Sequence, residues 1–429
     1  MKLNLLSIML LGSGLFLTAC GGSDDKGDNS STSSNVDVNN IQNPVVNTPV
    51  PYEYTEDYPP NAEASVVMTY KMKGITGQET QATALVFTPK TAPPAGGWPI
   101  VAWAHGTVGV NDDCAPSENY LIMEGGRTPD LHTHKMIDSL VKDGYVVVAP
   151  NYEGLGEPKA PGEETIDKEM HPYLNLKSAA YSVTDAVVAT KSWLGNKASN
   201  KWAVAGHSQG GHAALGAAQY AARANMDYKG AIAIAPASNL ELIEKLMEMA
   251  LADRTGITQV GGYALLDTFT AYMAAGIKAT NPTEPVYSIV FKSPTDEIAK
   301  KVEEKDQCLQ AMALEFTLPM ISYRANNKGS LVGYPRKNEG YANNPLVRKF
   351  LDKDSAPLQT VIKTPIIIYQ GDKDITVLPQ ATNALVAQAR AMTTKIDYRT
   401  NSSWDHTDAF KANVENGQLM EDIKTLLAN

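Results

Sequence analysis

The stretch Trp202-Ala203-Val204-Ala205-Gly206-His207-Ser208-Gln209-Gly210-Gly211-His212-Ala213-Ala214 joins an apolar run to an alanine-rich one through a serine set between glycines. Trp202 to Ala205 reads as a buried strand, and His212 to Ala224 as a helix. The turn between them fits G-x-S-x-G, and its context carries the meaning. A strand that reverses at once into a helix strains the serine and lifts its hydroxyl above the sheet. Glycines are needed on both sides because a Cβ would collide with the neighbouring strand and helix.

Outward from this turn, strands and helices alternate. Ala64 to Met72 and Ala82 to Thr88 read as early strands, and Pro99 to Ala104 as a buried one ending at His105-Gly106-Thr107. Leu131 to Asp143 has helical spacing, Tyr145 to Ala149 is a valine-rich strand, and Ser178 to Leu194 is a helix stopping at Gly195. After a strand at Ala231 to Ala235 the alternation breaks, and residues 239–360 read as helices and loops. It resumes with a strand at Pro365 to Tyr369, a helix from Pro379 to Met392, a strand at Lys395 to Arg399 and a last helix after His406. Alternation of this kind predicts an α/β fold: a mostly parallel sheet with helices on both faces and an inserted, mainly helical cap. The expected core is 56–238 with 361–429, and the expected cap 239–360. No internal repeat is seen.

A serine hydroxyl is a weak nucleophile and needs a base oriented by an acid. In strand–turn–helix enzymes the chain order is serine, acid, histidine. Of seven histidines, His406 alone lies beyond the late strand, in Ser403-Trp404-Asp405-His406-Thr407-Asp408. Gln370-Gly371-Asp372-Lys373-Asp374-Ile375-Thr376-Val377 offers two acids. Position three after the glycine selects Asp374, and Asp372 reads as a turn-former. The developing oxyanion needs two donors. One is expected from the backbone N–H of Gln209, the other from that of Thr107 or Gly106. His105 is expected to buttress its loop, and His207 and His212 to be packed. His132 and His134 have no partners at zinc-ligand spacing, so neither a metal nor a cofactor is expected.

Trp103-Ala104-His105-Gly106-Thr107, Cys114-Ala115-Pro116-Ser117, Ala149-Pro150-Asn151-Tyr152-Glu153-Gly154-Leu155-Gly156, His171-Pro172-Tyr173 and the turn at Gly206 to Gly211 together resemble the secretory lipase family of α/β-hydrolases. That family includes fungal lipase A-type enzymes and many bacterial relatives. The resemblance runs from about residue 60 to the end, apart from the cap. It implies the α/β-hydrolase fold, hydrolysis of esters or lipid esters through an acyl-enzyme, and a helical cap over the acyl site. Members often carry aspartate where Asn151 stands.

The N-terminus speaks of destination. Lys2, the apolar run Leu3 to Leu17 and Leu17-Thr18-Ala19-Cys20-Gly21 read as an export signal over residues 1–19. The cysteine after small residues resembles a bacterial lipobox, which implies cleavage before Cys20, its lipidation, and residence at the outer membrane. Residues 20–55, rich in Gly, Ser, Asp, Asn, Thr and Pro, read as a flexible tether. With Cys20 lipidated, Cys114 and Cys308 remain. In an oxidising compartment they can pair, or persist as two buried thiols. The net charge of −10 comes with no basic patch, which argues against nucleic acid as a partner. Oligomeric state stays open.

The expected function is therefore a serine esterase or lipase. The apolar residues Met247, Met249, Leu251, Tyr263, Leu265, Leu266, Phe269, Tyr272 and Met273 can line an acyl groove or simply pack the cap. A peptidase or thioesterase can use the same turn. A non-catalytic surface lipoprotein on a hydrolase scaffold is the reading from a different class.

Overall fold

Nine strands form one sheet in the order β1-β2-β3-β5-β4-β6-β7-β8-β9. The computed structural model describes residues 37–53, 59–118, 131–156 and 170–428. The strands are β1 (Val50–Pro51), β2 (Ala62–Lys73), β3 (Glu79–Pro89), β4 (Trp98–Ala104), β5 (Val146–Pro150), β6 (Ala198–His207), β7 (Asp227–Ile234), β8 (Ile366–Gly371) and β9 (Ile396–Asn401). β1, β2, β3 and β5 pair antiparallel in turn, and every pair from β5 through β4 to β9 is parallel.

The parallel strands are apolar on both sides because both sides are covered. Ile100, Ala102, Val204, Ala231 and Ile368 face one layer, which contains helices α2 (Leu176–Leu194), α3 (Gln209–Gln219) and α10 (Pro379–Ala391). The alternating residues Val101, Trp103, Ala203, Ile232 and Tyr369 face the other layer. That layer holds α1 (Leu131–Lys142), α11 (Asp408–Glu415) and α12 (Gln418–Ala428). The chain is thus an α/β-hydrolase fold with a mixed, mostly parallel sheet.

Between β7 and β8 the chain forms α4 (Leu240–Ala252), α5 (Gly256–Thr280), α6 (Val286–Val290), α7 (Thr295–Lys300), α8 (Leu309–Asn326) and α9 (Pro345–Lys349). They share a separate apolar cluster, which includes Tyr272, Met273, Phe291, Met312 and Phe316. The bridge Cys114–Cys308 joins this insertion to the loop after β4, with Cα atoms 5.4 Å apart. Beside it the Leu309 N–H donates to the Val108 carbonyl at 2.9 Å.

Three details differ from expectation. β6 and β7 begin four residues earlier than their apolar runs, and Lys201 pairs with Asp227 there. The added residues Ser199, Asn200, Asp227 and Lys229 keep their polar side chains partly or fully exposed. The last helix is two, α11 and α12, divided at Gly417 (φ 80°), whose left-handed conformation ends the first. Within the expected tether, residues 37–53 are bound to the domain. β1 pairs with β2, Tyr52 is buried, and the Asn39 amide donates to Asp185 at 2.8 Å. Buried Asp185 takes a two-point contact from Arg223, which also donates to the Asp37 carbonyl. Composition hid this docking because only Val45, Val50 and Tyr52 supply apolar contact, and the polar and backbone anchors are scattered along the segment. The expected signal at 1–19, the expected lipidation at Cys20 and residues 20–36 and 54–55 of the expected tether lie outside the described residues. Among the described residues no helix is long and apolar enough to cross a membrane.

α4 is held from its polar side. Arg336 grips buried Asp267 of α5 at 2.6 and 2.8 Å and Glu248 of α4 at 2.9 and 3.0 Å. Lys337 adds Glu244 and Glu248 at 2.8 and 2.7 Å, and the Arg336 guanidinium lies 3.7 Å from the Tyr263 ring centre. Removing one partner of such a group strands the others in a site with little water. Asp267→Asn should lower stability by about 3 kcal/mol, read as a shift in the urea midpoint. An unchanged midpoint would mean that the group contributes nothing to holding the insertion.

Candidate active site

Ser208 leaves β6 with φ 58° and ψ −116°, a conformation costly for any residue with a Cβ. The surroundings hold it there. Its N–H donates to the Ile234 carbonyl at 2.8 Å, and its own carbonyl accepts from His212 and Ala237 at 3.1 and 3.2 Å. A Cβ on Gly206 would lie 2.2 Å from the Gly210 carbonyl oxygen, and one on Gly210 would lie 1.8 Å from that of Ala104. The glycines therefore let α3 press against β4, as the motif predicted. That contact sets the loop after β4 beside the first turn of α3, whose N–H groups lack helical acceptors and favour negative charge.

Asp374 and His406 arrive on the loops after β8 and β9. The His406 Nδ1–H donates to Asp374 Oδ2 at 2.7 Å. The same carboxylate accepts from Thr376 N and Val377 N, both at 2.8 Å, and from the Gln370 amide at 3.1 Å. Asp374 is buried and Asp372 exposed. With the Nδ1 proton committed to the carboxylate, Nε2 is the basic nitrogen. Gly371 makes the junction possible, since a Cβ there would lie 2.3 Å from the Trp404 carbonyl oxygen. Asp405 caps the turn before α11 by accepting from the N–H groups of Thr407 and Asp408 at 2.9 and 2.8 Å. His207, at the serine turn, donates from Nε2 to the His406 carbonyl at 2.8 Å, with ring centres 4.7 Å apart. The serine turn and the histidine loop are therefore in direct contact.

The flanking residues serve position. The His105 ring bonds the Gly106 carbonyl through Nδ1 at 2.6 Å and lies 4.5 Å from the Tyr152 ring, so it buttresses its loop. His171 donates from Nδ1 to the Glu153 carbonyl at 2.7 Å, which leaves Nε2 to accept the Gln209 amide N–H at 2.9 Å. His212 donates to the Ser355 carbonyl at 2.9 Å. The Asn151 amide donates to the hydroxyls of Thr83 and Ser117 at 2.6 and 2.5 Å, so the position is a loop tie. Asp113, Cys114 and Cys308 come together, but the two sulfurs are bonded to each other and offer no thiolate.

A cavity of about 600 Å³ opens on Ser208 and Thr107. Of the apolar stripe, Met247, Leu251, Leu265, Leu266, Phe269 and Met273 line it. Met249 points to solvent, Tyr263 lies under Arg336, and buried Tyr272 meets Tyr173 edge to face. Groove and packing are thus both present in one stripe. Tyr173, Ile375 and Val377 also border the cavity. Sequence reasoning gave them no role because each belongs to a loop, and only the fold collects the loops.

The secretory lipase family model matches residues 131–416, two thirds of the chain. The chain belongs to the secretory lipase family. It is accordingly a carboxylic ester hydrolase. No curated protein matches it by sequence. Among solved structures, Candida antarctica lipase A in its closed state superposes with a TM-score of 0.64 at 18% identity, over 88% of this chain and 83% of that one. A ligand-bound rice cell wall degrading esterase of Xanthomonas oryzae gives 0.55 at 19%, over 85% and 88%. At such identities the likeness is one of fold.

Burial pushes His105 and His212 down to about 4 and His171 to about 3, against backbone hydrogen bonds that act the other way. They are neutral in the folded lipase, whereas unfolding returns them to about 6.5. Between those values the unfolded chain binds more protons, so acid favours unfolding. The melting temperature should fall as pH drops from 6.5 toward 4. His212→Gln, which keeps a donor for Ser355, should flatten that fall. An unaltered slope in His212→Gln would rule out this titration.

Proposed function

We propose that this secretory lipase cleaves carboxylic esters through an acyl-enzyme on Ser208, with His406 as base and Asp374 as its orienting acid. The observation that carries the reading is the buried Asp374–His406 bond on a loop touching the strained Ser208 turn. The serine Oγ attacks the ester carbonyl while His406 Nε2 takes its proton. Negative charge gathers on the former carbonyl oxygen, where the N–H of Gln209 and that of Thr107 or Gly106 receive it. The imidazolium protonates the leaving alcohol. Water, activated by the same histidine, then releases the acid and restores Ser208. The mostly apolar cavity walls favour an acyl chain over a peptide terminus.

Ser208→Ala should remove hydrolysis of p-nitrophenyl esters, by about 10⁶ in kcat, and abolish labelling by a fluorophosphonate probe. Asp374→Asn should cost about 10⁴ in kcat, because the amide holds the wrong tautomer of His406. Asp372→Asn should be mild. Activity retained in Ser208→Ala, or a preference for aminoacyl p-nitroanilides, would overturn the reading.

The lipobox-like Leu17 to Gly21 supports a second proposal: that Cys20 carries lipid and holds the enzyme at the outer membrane. The chain to the first docked residue, Asp37, then acts as the tether. Cys20→Ser should leave the protein soluble or with its signal uncleaved, with turnover by the folded domain unchanged. Membrane attachment after normal cleavage would refute lipidation.

A further inference from the structure

Two hydroxyls meet at the edge of the cavity in a way that backbone donors alone do not explain. Thr107 Oγ1 lies 2.7 Å from the phenolic oxygen of Tyr173, and both residues are buried. Thr107, Tyr173 and Ser208 border the same cavity. The tyrosine comes from a different loop, the one that leads into α2, and it is firmly held. Its N–H donates to the His171 carbonyl at 2.7 Å, and its ring meets Tyr272 edge to face with centres 5.6 Å apart. Gly276 of α5 packs against its backbone so closely that a Cβ there would lie 2.2 Å from the Tyr173 carbonyl oxygen.

We infer that the Thr107 hydroxyl is a third donor to the oxyanion, and that Tyr173 is a positioning residue that aims it. This rests on the reading of Ser208 as the nucleophile. Either oxygen can donate in this contact; a phenol is the stronger acid, and we assign Tyr173 as the donor and Thr107 Oγ1 as the acceptor. That direction leaves the threonine proton to be given elsewhere, and the cavity holding the serine is the space it borders. A hydroxyl that already accepts a hydrogen bond is a better donor, because the two bonds polarise each other. The loop bearing Thr107 cannot easily withdraw. The Val108 carbonyl accepts from Leu309, Cys114 is bonded to Cys308, and the Tyr152 hydroxyl donates to the His105 carbonyl at 2.8 Å. A donor held before the reaction needs no reorganisation when charge develops.

The test uses the whole mature enzyme with p-nitrophenyl butyrate, and a trifluoromethyl ketone that forms a serine-bound oxyanion. Thr107→Val keeps the shape and the backbone N–H but removes the hydroxyl. It should lose about 10²-fold in kcat, with KM within about twofold and a matching loss of ketone affinity. Thr107→Ser should recover most of both. Tyr173→Phe should lose less, about tenfold in kcat, again in step with ketone affinity. If Thr107→Val keeps kcat within about twofold, or Thr107→Ser falls as far as Thr107→Val, the hydroxyl is no donor. If Tyr173→Phe leaves kcat and ketone affinity unchanged, Thr107 does not depend on it and the positioning role fails. Fluorophosphonate labelling of Ser208 separates these outcomes from a failure of the nucleophile assignment. An unlabelled wild type would sink the parent reading, whereas a labelled enzyme with an indifferent Thr107→Val sinks only this one.

Discussion

The approach of α3 to β4 without side chains between them is the contact from which the site is built. Gly210 lies where even a methyl group would overlap the Ala104 carbonyl, and Gly206 where one would overlap the start of α3. The turn between them has no room for a relaxed path, so Ser208 takes a positive φ. Tertiary contacts offset the strain. Its N–H is tied to β7 and its carbonyl to Ala237 and to the first turn of its own helix. Because α3 is so near, its N-terminus and the Thr107 loop border one space. Larger residues at 206 or 210 would push the helix away from the loop that carries Thr107.

Electrostatics complete what packing begins. The Asp374 carboxylate is buried yet receives four hydrogen bonds, so its charge is matched on every side. Three other buried histidines follow the opposite rule. Burial holds His105, His171 and His212 neutral, and each ring bonds a backbone carbonyl as a fixed strut. The insertion divides its labour in the same fashion. α4 turns its charged face to Arg336 and Lys337 and its apolar face to the cavity. Ionic contacts thus hold a helix whose apolar side borders the cavity.

Local chemistry made much of this legible. The parallel core could be read because strands covered on both faces are apolar throughout, and Trp202 to Ala205 and Ile366 to Tyr369 are. Ser208, Asp374 and His406 could be ordered because turn, spacing and sequence position each narrow the choice. The docked segment 37–53 was not legible. It is held by the pairing of β1 with β2, by buried Tyr52 and by Asp37 and Asn39 meeting Arg223 and Asp185, and no local pattern foretells polar partners more than a hundred residues away. The break between α11 and α12 did leave a sign, Gly417, but a lone glycine also sits within unbroken helices.

By itself the sequence determined the strand–turn–helix around Ser208, the chain order of Ser208, Asp374 and His406, and the interruption after β7. These depend on neighbours in the chain. The tertiary structure decided the rest: that Cys114 and Cys308 are bonded, that Asp374 and not Asp372 meets His406, and that Tyr173 meets Thr107. It also decided which members of the apolar stripe face the cavity. Each of those depends on the distance between loops far apart in sequence, and that distance is set by sheet order and by the glycine contacts that bring the loops together.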